Sequence, residues 1–142
     1  MTQRTYVPVR RLSRKQVLEN LSRSNPQEIR ETLVSISYWE DDWSWVQRQL
    51  LTYSEHKSEL VLWAVAVGLG YLAIFTGEID VEVVRPVLRR LQSSSDPLIS
   101  AAATDAEDDI EHFVVARQKG QKVSLGRRLP EDWRPPPGHF PE

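Results

Sequence analysis

The chain contains no cysteine among its 142 residues. Disulfides, thiolate zinc sites and a cysteine nucleophile are therefore excluded, and the absence fits a reducing compartment. Histidine is scarce: His56 falls in a turn, His112 at a helix end and His139 in the C-terminal tail, so no pair has metal-ligand spacing on one helix. Asp108 and His112, at i and i+4, make at most a weak candidate for a divalent ion. No serine occupies a nucleophile elbow. Gly68-Leu69-Gly70 lies inside an apolar helix, where it allows close packing and does not form a phosphate loop. The N-terminal stretch MTQRTYVPVRRLSRKQ lacks the apolar core of a Sec signal. The apolar run 60–75, free of charge and proline, has sixteen residues, short of the roughly 18–20 that span a bilayer. The expectations are thus no enzyme, no catalytic residue, no metal, no cofactor, no small-molecule ligand and no membrane, in a cytoplasmic protein.

What is present is 40% hydrophobic and 27% charged residues, the composition of one soluble globular domain. The net charge of −2 conceals a segregation. Residues 1–24 carry +5, residues 25–113 carry −10 and residues 114–142 carry +3. An acidic body with basic ends either holds its own tails or offers the body to a basic partner.

Helix signals dominate. Ser13 and Gln16 read as a capping box ahead of a helix over 13–23. Asn25, Pro26 and Glu28 open a second over 26–37, with Glu28 completing its box and Ile29, Leu33 and Ile36 on one face. Asp41 or Asp42 caps a third over 43–54 with Val46, Leu50 and Tyr53 inward. The run 60–75 reads as a helix buried on every side and ended by Gly77. Asp80 caps a fifth over 81–93, which Pro86 should bend. Asp96-Pro97 opens a sixth whose inner stripe is Ile99, Ala102, Ala106, Ile110 and Phe113. The expected organisation is a helical domain over 1–117, in pairs 13–37, 43–76 and 81–117. A polar, proline-rich tail over 118–142 follows, pinned at points such as Leu125 and Trp133.

Shifted by 38 residues without a gap, the sequence matches itself: Val46 meets Val84, Leu50 meets Leu88, Leu60 meets Leu98, Ala64 meets Ala102 and Leu72 meets Ile110. The turns coincide as well, which is the mark of stacked helix pairs. The segment Ser95-Asp96-Pro97-Leu98-Ile99-Ser100-Ala101-Ala102-Ala103 resembles the start of a HEAT second helix, and the resemblance to HEAT-repeat proteins covers about 41–113. It implies an all-α fold, a short right-handed α-solenoid of about three helix pairs, the first degenerate. Pro86 and the charge-free fourth helix depart from the HEAT pattern.

Two clusters are candidates for partner binding. Helix six carries Asp105, Glu107, Asp108, Asp109 and Glu111, with His112 at the edge. Such neighbours repel and lie beyond the turn that the helix dipole favours, so they either pair with Arg117, Arg89 or Arg90 or serve something outside. Helix three opens with Glu40, Asp41 and Asp42 among Tyr38, Trp39, Trp43 and Trp45. Trp43 and Trp45 point about 200° apart on a helix, so at least one should be partly exposed, as an interface anchor or against a chain terminus. These stretches, 38–47 and 105–113, are similar to small bacterial HEAT-like proteins, some of which serve as immunity proteins beside polymorphic or contact-dependent toxins. That resemblance implies a toxin C-terminal domain as partner, a nuclease being suited to an acidic inhibitor. Tyr38, Glu40, Asp41, Asp42, Trp43, Trp45, Asp105, Glu107, Asp108, Asp109, Glu111 and His112 would form the contact. The alternatives are a HEAT adaptor with another protein partner and, against the charge of the body, direct nucleic-acid binding through the basic ends.

Overall fold

The computed structural model describes residues 8–134 and 136. Among them are six α-helices and no strand: α1 (Arg14–Ser22), α2 (Pro26–Trp39), α3 (Trp43–Thr52), α4 (Glu59–Thr76), α5 (Val81–Gln92) and α6 (Pro97–Ile110). A single π-helical turn (Glu111–Val115) and a last α turn (Ala116–Gln118) prolong α6. His139 and most of the 135–138 proline stretch lie outside the described residues.

The caps act locally as the residue types dictate. Ser13 accepts from the Gln16 amide while the Gln16 side chain accepts from the Ser13 amide. Asn25 accepts from the Glu28 amide, yet the box stays half made, because the Glu28 carboxylate turns to Arg23 at 2.6 Å. Asp42 and Asp96 cap α3 and α6 through their side chains. Asp80 makes no such bond; its own amide donates to Oε1 of the buried Gln47, 2.8 Å away on α3. A buried amide side chain thereby gains its partner and ties α3 to the start of α5. α5 runs through Pro86 unbroken, with Pro86 and Glu82 on its exposed side, where water can bond the freed carbonyl.

Helix α4 is the centre. It packs against α2 on one flank and α6 on the other, while α1, α3 and α5 each pack on the helix that follows them. Val61, Ala64, Val65, Leu69 and Leu72 have no exposure at all. Each such aliphatic side chain contributes about 1.5–3 kcal/mol of gross burial energy. By length and composition α4 could cross a membrane, and half of it is buried within this protein. It is not buried on every side. Trp63, Val67, Tyr71 and Ile74, spaced 4-4-3, form a stripe that α2 and α6 cover only in part. The stripe of α6 also departs from expectation. Ala103 is buried in place of Ala102, because the inner stripe runs 4-3-4 through Ile99, Ala103, Ala106 and Ile110, and Val114 is buried in place of Phe113, where the π turn takes up about one residue more and delays the inward position.

Four of the five pairs 38 residues apart share environments, Ala64 being buried where Ala102 is partly exposed. Val46 and Val84, Leu50 and Leu88, and Leu72 and Ile110 are buried as pairs, and Leu60 and Leu98 are both exposed, at 44% and 69%.

Candidate functional site

The aromatic and acidic residues between α2 and α3 are largely engaged by the two ends of the chain. The Trp39 indole donates to the Val9 carbonyl at 2.8 Å, and the Arg11 guanidinium lies 4.5 Å over its ring. Arg14 covers the Trp45 ring at 3.7 Å and reaches Glu40 at 3.5 Å. From the other end, Arg128 pairs with Asp41 at 2.7 Å, donates through Nε to the Tyr38 carbonyl and lies over Phe75. The Tyr38 hydroxyl accepts from the Leu129 amide, and the Glu131 carboxylate accepts from the Arg11 amide, each at 2.6 Å. Asp42 serves as the α3 cap. Trp43 and Trp45 both pack against the core and both stay partly exposed, as their separation around the helix predicts. The charge pattern had allowed basic ends to be held at home, and at this cluster they are.

Helix α6 differs. Glu111 pairs with Arg85, and Glu107 accepts from the Gln92 amide at 2.7 Å. Arg117 and Arg90 are turned elsewhere, the first to the Thr76 and Gly77 carbonyls, the second to the Ser54 carbonyl and Glu55. Among the described residues Asp105, Asp108 and Asp109 form no ion pair. His112 is exposed and stands edge-on to Phe113.

Asp105 and Asp109 line a groove of about 420 Å³ between α4 and α6. One side is the half-covered α4 stripe, Trp63, Val67, Tyr71 and Ile74, and the other is α6, where Leu98, Ala101 and Ala102 continue the same wall as the two aspartates. The small residues of α6 and Gly70 of α4 let the helices approach closely; a Cβ on Gly70 would sit 3.2 Å from Asp109 Oδ2 and 3.4 Å from Ala106. Where the two helices begin, the Asp96 carboxylate raises the pKa of Glu59 through a shared hydrogen bond and through its charge. Tyr71 also contacts Tyr38 on the α2 side, ring centroids 5.6 Å apart. The two candidate clusters thus lie on opposite flanks of α4 with Tyr71 between them. Trp63, Tyr71 and Leu98 escaped the sequence reading, though two large amphipathic rings in an otherwise aliphatic helix were a usable signal.

Burial first, then the charges of Asp105 and Asp108, push the Asp109 pKa up to about 6, with His112 acting in the opposite direction. The folded state therefore binds this proton more tightly than the unfolded chain does. The contribution of Asp109 to stability is greatest below the ordinary carboxylate range and is lost as pH rises to about 6. Asp109→Asn should consequently stabilise the protein by about 1 kcal/mol at pH 8, allowing for the groove's open side, and by less at pH 5. Urea midpoints of both proteins across pH 4–8 measure this, and a gain that does not grow with pH would contradict it.

Among the described residues no three histidine or carboxylate side chains are grouped to hold a metal. The arrangement offers instead an apolar trough with uncompensated negative charge along one wall.

No protein-family profile matches the chain, and no curated protein matches it in sequence. In three dimensions it is similar to a chain in the crystal structure of a CDI complex from Cupriavidus taiwanensis LMG 19424. The TM-score is 0.68 at 26% identity, over 78% of this chain and 98% of that one.

Proposed function

We propose that this protein is an immunity protein of the contact-dependent inhibition type, which binds and neutralises a toxin domain in the cytoplasm and performs no turnover of its own. The observation that carries the reading is the likeness, over nearly the whole of the other chain, to a component of a CDI complex. The six helices are read as a short α-solenoid of three HEAT-like pairs. The like burial of residues 38 apart and the stacking of α2, α4 and α6 support that reading. The unpaired aspartates of α6 favour a basic partner, and a nuclease toxin, which must hold phosphates, has such a surface. A carboxylate wall set against that surface would speed encounter and exclude substrate.

Co-expression with the product of the adjacent reading frame, followed by size-exclusion chromatography with light scattering, should give an equimolar complex. Growth arrested by that product should be restored. Failure of both would discard the toxin reading in favour of a general HEAT-type adaptor.

A further inference from the structure

The strip of surface that the fold leaves open runs along α4 and α6. Leu98 and Ala101 are exposed on the α6 wall, and the Trp63 and Tyr71 rings are half-exposed on the α4 side. Neither described chain end lines it. The tail comes near, since the Gly126 amide donates to the Ile74 carbonyl at 2.8 Å, but it then turns to Tyr38 and the α2 side. A second cavity, of about 580 Å³, is by contrast lined by residues of the N-terminal segment, Pro8, Val9, Arg10 and Leu12. Its charged lining, Arg10 and Arg30 with Glu31, has no single sign.

We infer that the groove between α4 and α6 seats a protruding segment of a protein partner, a segment that presents an arginine or lysine beside an apolar or aromatic side chain. The inference deepens the toxin-binding reading and rests on it. Charge complementarity selects the occupant. Asp105 and Asp109 face the trough from one wall, Asp108 adds negative potential on the same helix, and among the described residues no lysine or arginine pairs with them, His112 alone acting on the charge of Asp109. A polyanion is repelled, and a purely apolar segment would leave two carboxylates losing water without recompense. A guanidinium or ammonium at that wall satisfies them, and its neighbouring apolar side chain covers Trp63, Val67 and Leu98. A carboxylate already short of water gains most from an arriving cation. Aromatic side chains flanked by a charge that becomes desolvated on contact are the usual makings of a binding hot spot.

The test uses the full chain and the purified product of the adjacent reading frame, with affinity read by calorimetry. Ala101→Arg fills the trough from an exposed position and sets a cation of the chain's own four residues before Asp105, so the fold should melt as wild type does while Kd rises about 100-fold. Asp105→Asn should raise Kd about tenfold at low salt, with the effect fading as salt increases. Lys57→Gln, on an exposed turn, should change it less than twofold. If wild type binds but Ala101→Arg and Asp105→Asn bind equally well, the groove assignment is overturned and the toxin reading stands. The same holds if only Glu40→Gln combined with Asp41→Asn weakens binding, which would move the contact to the α2–α3 side. If wild type itself forms no complex, the toxin reading fails and takes this inference with it.

Discussion

Gly68→Val is expected to lower the melting temperature by about 10 °C, the largest stability effect foreseen here. Gly68 lies where α4 meets both α2 and α3. A Cβ at this position would come 2.5 Å from Ser37 Oγ and 2.7 Å from a Leu50 methyl. Neither neighbour has room to yield. Ser37 is buried, with its hydroxyl donating to the Leu33 carbonyl at 2.6 Å, and Leu50 has no exposure. Alanine would recover about 1 kcal/mol of helix propensity against a clash of about 1–3 kcal/mol. Valine adds two further carbons and little propensity, for a net loss of about 3 kcal/mol. Circular dichroism melts of the glycine, alanine and valine forms should rank in that order. A valine form as stable as wild type would mean that α2 and α4 do not approach as described.

The second large effect is expected at Gly77, which ends α4 with φ +66°. β-Branched residues adopt that conformation only with strain, about 1–2 kcal/mol. A Cβ there would also meet the Arg117 guanidinium at 1.7 Å and a Leu125 methyl at 2.9 Å. Arg117 donates to the Gly77 carbonyl at 2.9 Å, a cation placed where the helix dipole favours it. Gly77→Val should therefore cost about 2–3 kcal/mol in all. Gly77→Asn, which tolerates the left-handed backbone but still displaces Arg117, should cost about half as much. Chemical denaturation of the pair separates backbone strain from the lost arginine contact. Equal losses would assign the whole effect to Arg117.

Most of the helical framework was legible because its signals are local. Ser13 with Gln16, Asn25-Pro26, Asp42, Asp96-Pro97 and Gly77 act on amides or carbonyls a few positions away, and each ends or begins a helix as its chemistry requires. The failures concern partners distant in the chain. Glu28, which lost its box to Arg23 five positions away, is the exception, whereas the Asp80 amide found Gln47, 33 positions away. The acids beside Tyr38 met Arg14 and Arg128, one from each end. A segregation of charge announced that the ends could be held, without saying where. Four of the twelve candidates, Tyr38, Glu40, Asp41 and Trp45, thus stand in a clasp, whereas Asp105 and Asp109 were recognisable from repulsion along one helix. The open stripe of α4 was hidden by a hydropathy that looks uniform around the helix. Only the neighbours decide which of its faces stays uncovered.

The clasp has an electrical consequence. Arginines drawn from both extremities gather over the α2 end of the molecule, whereas the unanswered carboxylates stand on α6, with α4 in between. Two of those arginines are answered there by Glu40 and Asp41, so the unanswered negative potential gathers on the aspartate edge. A cationic body diffusing nearby is drawn toward that edge before it touches anything.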